Sequence, residues 1–202
     1  MIAESYYWKK ELLKLADKLT KRTKSKRWWT ESQHGSFEKE VMIGFYIIRK
    51  LIEAKTKLSN SLVASKLDGR KYHNISKRVT WRNNHRFHEC YDFENPKSCK
   101  FDLVFLCNQF VHSYIFSPTF DCEDENINRS LTLGAIHFFS DDKRNNWLFE
   151  VRIEVIIRIF KDIGNDYPSS SRQYYDPRKE DWIIVNGKKE VPKDVLDMLS
   201  KR

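Results

Sequence analysis

The residues of this chain best suited to chemistry lie in the apolar stretch Phe101 to Phe116, FDLVFLCNQFVHSYIF. If this stretch is one helix with about 100° per residue, Asn108 and His112 lie one turn apart on the same face. A histidine titrates near neutral pH and can act as a general acid or base, while the amide orients a substrate or an oxyanion. The alternative is a hydrogen-bonded polar network that only stabilises the core.

Arg152 is the second unusual residue. It belongs to the stretch from Trp147 to Ile163, whose periodicity predicts an amphipathic helix with Glu150 on its solvent face. Arg152 falls in the middle of the opposite, apolar face, so we expect it to be partly buried and paired with a carboxylate. Glu40 is one candidate partner, because it lies at the margin of another apolar helix face and needs a cation. A role in binding phosphate is the alternative.

The segment Cys107-Asn108-Gln109-Phe110-Val111-His112 resembles the signature of the HEPN proteins. These are small helical-bundle domains, many of them RNases of toxin and phage-defence systems. Their signature is an arginine, often followed by a polar residue, with a histidine four to six positions further on. Here Cys107 replaces the arginine. The literal pattern occurs in the segment from Arg82 to His88, which lacks helical periodicity.

The resemblance implies RNA cleavage without a metal. A histidine would take the proton of a 2′-hydroxyl or protonate the leaving oxygen, and an arginine would hold the scissile phosphate. Because Cys107 cannot do the latter, an arginine from elsewhere in the chain would have to supply this group. The candidate catalytic residues are His112, Asn108, Arg152, Arg82 and His88.

Two basic stretches favour nucleic acid as a partner, in a chain with a net charge of +9 over 202 residues. One follows the first predicted helix and combines cations with tryptophans, which can bind phosphates and stack on bases. The alternative is that these cations only complement a helix C-terminus while the tryptophans fold onto the core. The predicted nucleic-acid contacts are Lys21, Arg22, Lys24, Lys26, Arg27, Trp28, Arg78 and Arg86.

Other chemistry is disfavoured. The four cysteines are too few for a disulfide scaffold and predict free thiols. His85, His88, Cys90 and Cys99 could form a zinc set but lack the paired C-x2-C knuckle, so no metal or other cofactor is expected. The charged N-terminus predicts no signal peptide, and no stretch approaches the ~20 apolar residues of a membrane span. A cytoplasmic protein without a membrane partner is the simplest expectation.

The elements that must position these residues are helices near 5–22, 37–54, 101–114 and 147–163, the second capped by Ser36. A strand from Leu131 to Phe139 is expected to pair with residues near 115–120. Between the second and third helices, loops with short strands should bury Trp81. Asn186-Gly187 predicts a hairpin turn, and Pro192 the start of a short final helix.

The sequence therefore predicts one α+β domain over residues 1–202 that is predominantly helical. It would be a bundle of about four helices with an inserted β-hairpin or small antiparallel sheet. The predicted function is that of an RNA-interacting protein, a divergent HEPN-like ribonuclease. The alternatives are a non-catalytic nucleic-acid-binding protein and a structural subunit of a larger assembly. RNA is favoured over DNA, and a homodimer is one expected assembly.

Overall fold

The computed structural model describes residues 2–25, 29–122 and 131–188. The α-helices in these ranges are α1 (Tyr6–Thr23), α2 (Glu31–Glu53), α3 (Asn60–Val63), α4 (Leu103–Val111) and α5 (Ile153–Gly164), and Asn84–Cys90 forms a 3-10 helix. The strands are β1 (Lys66–His73), β2 (Lys97–Asp102), β3 (Ser113–Cys122), β4 (Leu131–Ser140), β5 (Trp147–Arg152), β6 (Ser170–Asp176) and β7 (Asp181–Gly187).

The centre of the fold is a five-stranded antiparallel sheet with the strand order β2-β1-β5-β4-β3. Helices α1, α2, α4 and α5 pack against one face of this sheet and enclose the main apolar core with it. The expected helical bundle is therefore wrong. The protein is an α+β protein whose sheet, with β5 in the middle, organises the packing of the helices.

The bundle was expected because two stretches that each combine a strand with a helix were interpreted as single helices. Residues 147–163 form β5 and then α5, and residues 101–116 form the end of β2, then α4, then the start of β3. Strand β5 is buried along Leu148 to Val151 because it pairs with a strand on each side and is covered on both faces. Strand β5 begins with a short apolar run, Trp147 to Phe149, and such a run cannot be distinguished from a buried helix segment by periodicity alone.

Several smaller predictions can be compared with the structure. The first helix and the pairing of β3 with β4 are confirmed. Helix α2 begins earlier than expected, because Thr30 and not Ser36 caps it in a capping box with Gln33. The C-terminal hairpin turns at residues 177–180, whereas Asn186 is buried within β7. The helix expected from Pro192 lies outside the ranges described above.

Gly44 lies where α2 packs against α5. A Cβ atom at this position would be 2.1 Å from Cζ of the buried Phe160 ring. We expect Gly44→Ala to lower the free energy of unfolding by about 1–3 kcal/mol, because overpacking outweighs the better helix propensity of alanine. Gly35→Ala on the same helix, with no atom within 4 Å of its Cβ position, is the matched control. Urea unfolding measures the stability of both variants. Equal stabilities would contradict the close packing of Gly44 against Phe160.

Candidate functional site

The face of the sheet away from the main core carries a row of polar side chains. Arg70 on β1, Glu150 on β5 and His137 on β4 are directly opposite one another in the antiparallel register. Cross-strand partners point to the same side of a sheet, so the three side chains lie side by side. The segment between β1 and β2 covers part of this face with a second apolar cluster, which includes Val79, Cys90 and Tyr91.

Glu150 is the most unusual residue of this row. Its side chain is only 11% exposed, and its Oε2 accepts hydrogen bonds from the Tyr72 hydroxyl at 2.7 Å and from Nε2 of His137 at 2.9 Å. The His137 ring is itself enclosed by aromatic rings, including those of Tyr72 and Phe93. The carboxylate is thus held in one orientation by two side chains that are themselves packed.

The hydrogen bonds also determine the protonation state of Glu150. Burial alone would raise the pKa of Glu150, but the donors His137 and Tyr72 and the nearby Arg70 charge outweigh burial and lower it. Glu150 is therefore ionised at neutral pH. Burial, together with the bond to Glu150, raises the pKa of Tyr72 to about 12, so its hydroxyl stays protonated and remains a donor.

The second carboxylate oxygen of Glu150, Oε1, is less engaged. It lies 3.7 Å from Nη1 of Arg70, which is beyond hydrogen-bond distance. Glu150 and Arg70 line a cleft of about 520 Å³ in this face of the sheet, together with Lys100, Arg152 and Asp68. The charged groups of the cleft are thus three cations and two carboxylates. Such a site can accept a hydrogen bond from a ligand and bind an anionic group beside it.

Arg152 belongs to this cleft and not to a buried helix face. It ends β5, is 47% exposed, and donates to Asp121 with 2.9 Å between Nη2 and Oδ2. The prediction that it pairs with a carboxylate is confirmed, but the partner is not Glu40. Glu40 forms the expected internal ion pair with Arg22 instead, at 2.8 Å between Oε2 and Nε.

Asn108 and His112 lie elsewhere, in a depression between α4 and the turn that follows β4. Both side chains are exposed, so the alternative of a polar network within the core is wrong for these two residues. Of the two polar neighbours at 108 and 109, Gln109 is the buried one, and its Oε1 accepts from the hydroxyl of Ser140 at 2.8 Å. Within the residues that the structure describes, neither Arg82 nor Arg152 contacts this pair.

Arg82 and His88 lie in the segment that covers the open face of the sheet, where both are exposed. This segment contains a turn from Thr80 to Asn83. The Asn83 side chain accepts from the backbone N–H of Thr80 at 2.6 Å and donates to the carbonyl of Arg78 at 3.0 Å. Trp81, at the tip of the turn, is 81% exposed, so the expectation that it is buried is wrong.

The remaining predicted nucleic-acid contacts are distributed over two regions. Lys21 and Lys24 are exposed at the end of α1, while Arg22 is occupied by Glu40. Arg78 and Arg86 are exposed on either side of the Thr80 to Asn83 turn. Lys26, Arg27 and Trp28 fall outside the described ranges.

The cysteines are placed for packing. Cys90, Cys99 and Cys107 are free thiols, as predicted, and burial raises the pKa of each, to about 12 for Cys107. In residues 2–25, 29–122 and 131–188, no group of three or more His, Cys, Asp and Glu side chains is arranged to hold a metal ion. Within the same ranges no helix is long and apolar enough to span a membrane.

Sequence reasoning missed the Glu150 site because it assigned Glu150 to the solvent face of a helix. The signal that could have revealed the site is the alternation of apolar and charged residues in Phe149-Glu150-Val151-Arg152, which has the period of a strand. Even so, its neighbours lie on two other strands, with His137 13 positions and Tyr72 78 positions away, and only the strand order brings all three together.

Comparison with known proteins adds no family assignment. No family model matches the chain, and neither the curated proteins nor the solved structures contain a match.

Proposed function

We propose that this protein binds single-stranded RNA, with the Thr80 to Asn83 turn as its stacking platform. The observation that carries this proposal is Trp81, which is 81% exposed at the tip of a hydrogen-bonded turn. Single-strand-binding proteins stack bases on such aromatic rings and bind the backbone with neighbouring cations.

The Thr80 to Asn83 turn is anchored by the residue that precedes it. Val79, the residue before it, is fully buried, and its backbone N–H donates to Oδ1 of Asn145 at 2.9 Å. Because the turn is anchored, little conformational entropy is lost when a base stacks on Trp81. This supports a binding role over the chance exposure of one apolar side chain.

The surroundings of Trp81 are basic. Arg78 and Arg82 are exposed and form no ion pair within the described ranges, and Arg86 contacts Glu89 only loosely, at 3.9 Å. Cations that are not neutralised by the protein remain available for phosphates. The net charge of +9 acts in the same direction.

Replacing the tryptophan tests the proposal. We expect Trp81→Ala to weaken binding of a U-rich 12-nucleotide RNA by about 5- to 150-fold, since stacking of one base contributes ~1–3 kcal/mol. Fluorescence anisotropy of the labelled RNA at 50 and 200 mM salt measures this, and the wild-type affinity should fall steeply with salt.

The matched control is Trp182→Ala, because Trp182 is also exposed, at 54%, but lies beside Asp181 on β7. This control should bind RNA as the wild type does. Equal affinities of the wild type and Trp81→Ala would contradict the proposal. The affinity for DNA of the same sequence, measured in parallel, tests the predicted preference for RNA. The molecular mass of the free protein in solution tests the predicted homodimer.

Cleavage by Asn108 and His112, as the HEPN resemblance implies, stays a prediction. Arg152 lines the cleft at Glu150 and not the depression that holds Asn108 and His112, so it does not supply the guanidinium group that this mechanism needs there. Gel electrophoresis of the same RNA after incubation with the wild type or with His112→Ala decides whether these residues contribute to cleavage.

A further inference from the structure

We infer that the cleft above Glu150 is a catalytic centre that cleaves the RNA strand by attack of a ribose 2′-hydroxyl on the adjacent phosphate. This inference rests on the proposed function, because its substrate is the RNA that the protein binds. It places the chemistry in the sheet and not on α4, where the sequence predicted it.

The base of the reaction is Oε1 of Glu150. The carboxylate is ionised, its orientation is fixed by Tyr72 and His137 through Oε2, and it lines an open cleft. A buried carboxylate that only stabilised the fold would need donors for both oxygens. Here the more distant contact of Oε1 with Arg70, at 3.7 Å, leaves that oxygen available to a ligand hydroxyl.

The cleft also holds the cations that a phosphodiester requires. Arg70 is directly opposite Glu150 in the register, and Lys100 and Arg152 line the same cleft. Arg152 is positioned by Asp121 at 2.9 Å and by Glu154 at 3.5 Å, and Nζ of Lys100 lies 3.8 Å from Oδ1 of Asp68. A phosphate bound by these groups lies beside the carboxylate, and the guanidinium groups stabilise the negative charge that develops on its oxygens.

The step is balanced without a metal or a redox partner. Glu150 takes the proton of the 2′-hydroxyl, the 2′ oxygen bonds to phosphorus, and the bond from phosphorus to the 5′ oxygen breaks. Water in the open cleft protonates the leaving 5′ oxygen, and Glu150 returns its proton to the hydroxide that results. The products are a 2′,3′-cyclic phosphate and a 5′-hydroxyl.

The cleft and the stacking turn belong to the same side of the sheet. Phe87, six positions after Trp81, lies against the His137 ring with 6.3 Å between centroids, and His137 contacts Glu150 directly. The segment that carries Trp81 therefore contacts the histidine that orients Glu150.

The experiment compares variants on two substrates: the 12-nucleotide RNA and the dinucleotide cytidylyl-adenosine, which is too short to need the stacking turn. We expect Glu150→Gln to lower the cleavage rate of both at least ~100-fold, because it removes a general base, while RNA affinity stays within about threefold. Glu38→Gln, an exposed glutamate on α2, is the matched control and should cleave normally. Wild-type product should end in a 2′,3′-cyclic phosphate, and DNA should stay intact.

Tyr72 is a positioning residue for Glu150, and the pH dependence of the cleavage rate tests this role. The wild-type rate should fall only at a pH below the usual range of a glutamate, because the pKa of Glu150 is lowered. Tyr72→Phe removes one donor, so the pKa of Glu150 rises and the acidic limb shifts to higher pH. A purely structural role would lower the rate equally at all pH values.

The outcomes separate the two proposals. If the wild type binds RNA but leaves both substrates intact, this inference is overturned and the proposed function stands. If the RNA is not bound, the proposed function fails, and cleavage of the dinucleotide alone decides the inference. Cleavage that persists in Glu150→Gln and is lost in His112→Ala overturns the inference in favour of the site on α4.

Discussion

Asp166→Ala is expected to lower the free energy of unfolding by about 3–5 kcal/mol, the usual cost of removing one partner from a buried charged network. The Asp166 carboxylate is almost fully buried just after α5. It accepts from the backbone N–H of Ser59 at 2.6 Å and from the Ser59 hydroxyl at 2.7 Å. These bonds tie Ser59, the residue just before α3, to the end of α5.

A buried lysine lies beside Asp166. Nζ of Lys9, on α1, donates to the backbone carbonyls of Asp166 and Lys57 and lies over the Tyr167 ring. Burial lowers the pKa of Lys9, and the nearby Asp166 carboxylate opposes that shift. Without Asp166 the ammonium group loses its counter-charge, and its pKa should fall further.

Urea unfolding of Asp166→Ala measures the loss, with Asp162→Ala as the matched control because Asp162 is exposed near the end of α5. The control should stay within about 0.5 kcal/mol of the wild type. The double variant Lys9→Met/Asp166→Ala should be less destabilised than the sum of the single variants, since the two charges interact. Additive losses would contradict the coupling, and a loss below about 1 kcal/mol for Asp166→Ala would contradict the network.

The second large effect is expected at Phe110, where truncation to alanine should cost about 3–5 kcal/mol. The Phe110 ring lies between two others: it stacks on Phe45 of α2 with 4.3 Å between centroids and on Phe138 of β4 with 4.6 Å. All three side chains are fully buried. Because α4 is only nine residues long, this stack is a main contact that fixes it between α2 and the sheet.

The loss of stability should depend on the size of the side chain that replaces Phe110. Phe110→Leu fills most of the space and should cost less than half as much as Phe110→Ala. Val104→Ala, at an exposed position of the same helix, is the control and should change stability by no more than about 0.5 kcal/mol. Thermal and urea unfolding report all three. Equal losses for the leucine and alanine variants would contradict the stacked arrangement.

Local patterns in the sequence were sufficient for elements whose environment is uniform along their length. Helix α1 has a clear apolar stripe and was predicted within one or two residues, although the structure also buries the charged Lys9 on it. The run from Leu131 to Phe139 has the β-branched and aromatic content of a strand, and its partner β3 follows from its proximity in the chain. The ion pair of Glu40 was also predicted, because a carboxylate at an apolar margin needs a cation wherever the chain provides one.

The sequence by itself thus determined the basic charge, the free thiols, the long helices and the candidate list of polar residues. Only the tertiary structure decided that residues 147–152 form a central strand, and therefore that Glu150 is buried beside His137 and Arg70. The physical reason is that helix propensity and periodicity act over a few neighbouring residues, whereas strand pairing joins β1, β4 and β5 across up to about 80 positions. Likewise, the exposure of Trp81 depends on how one loop closes over the sheet, which no local pattern encodes.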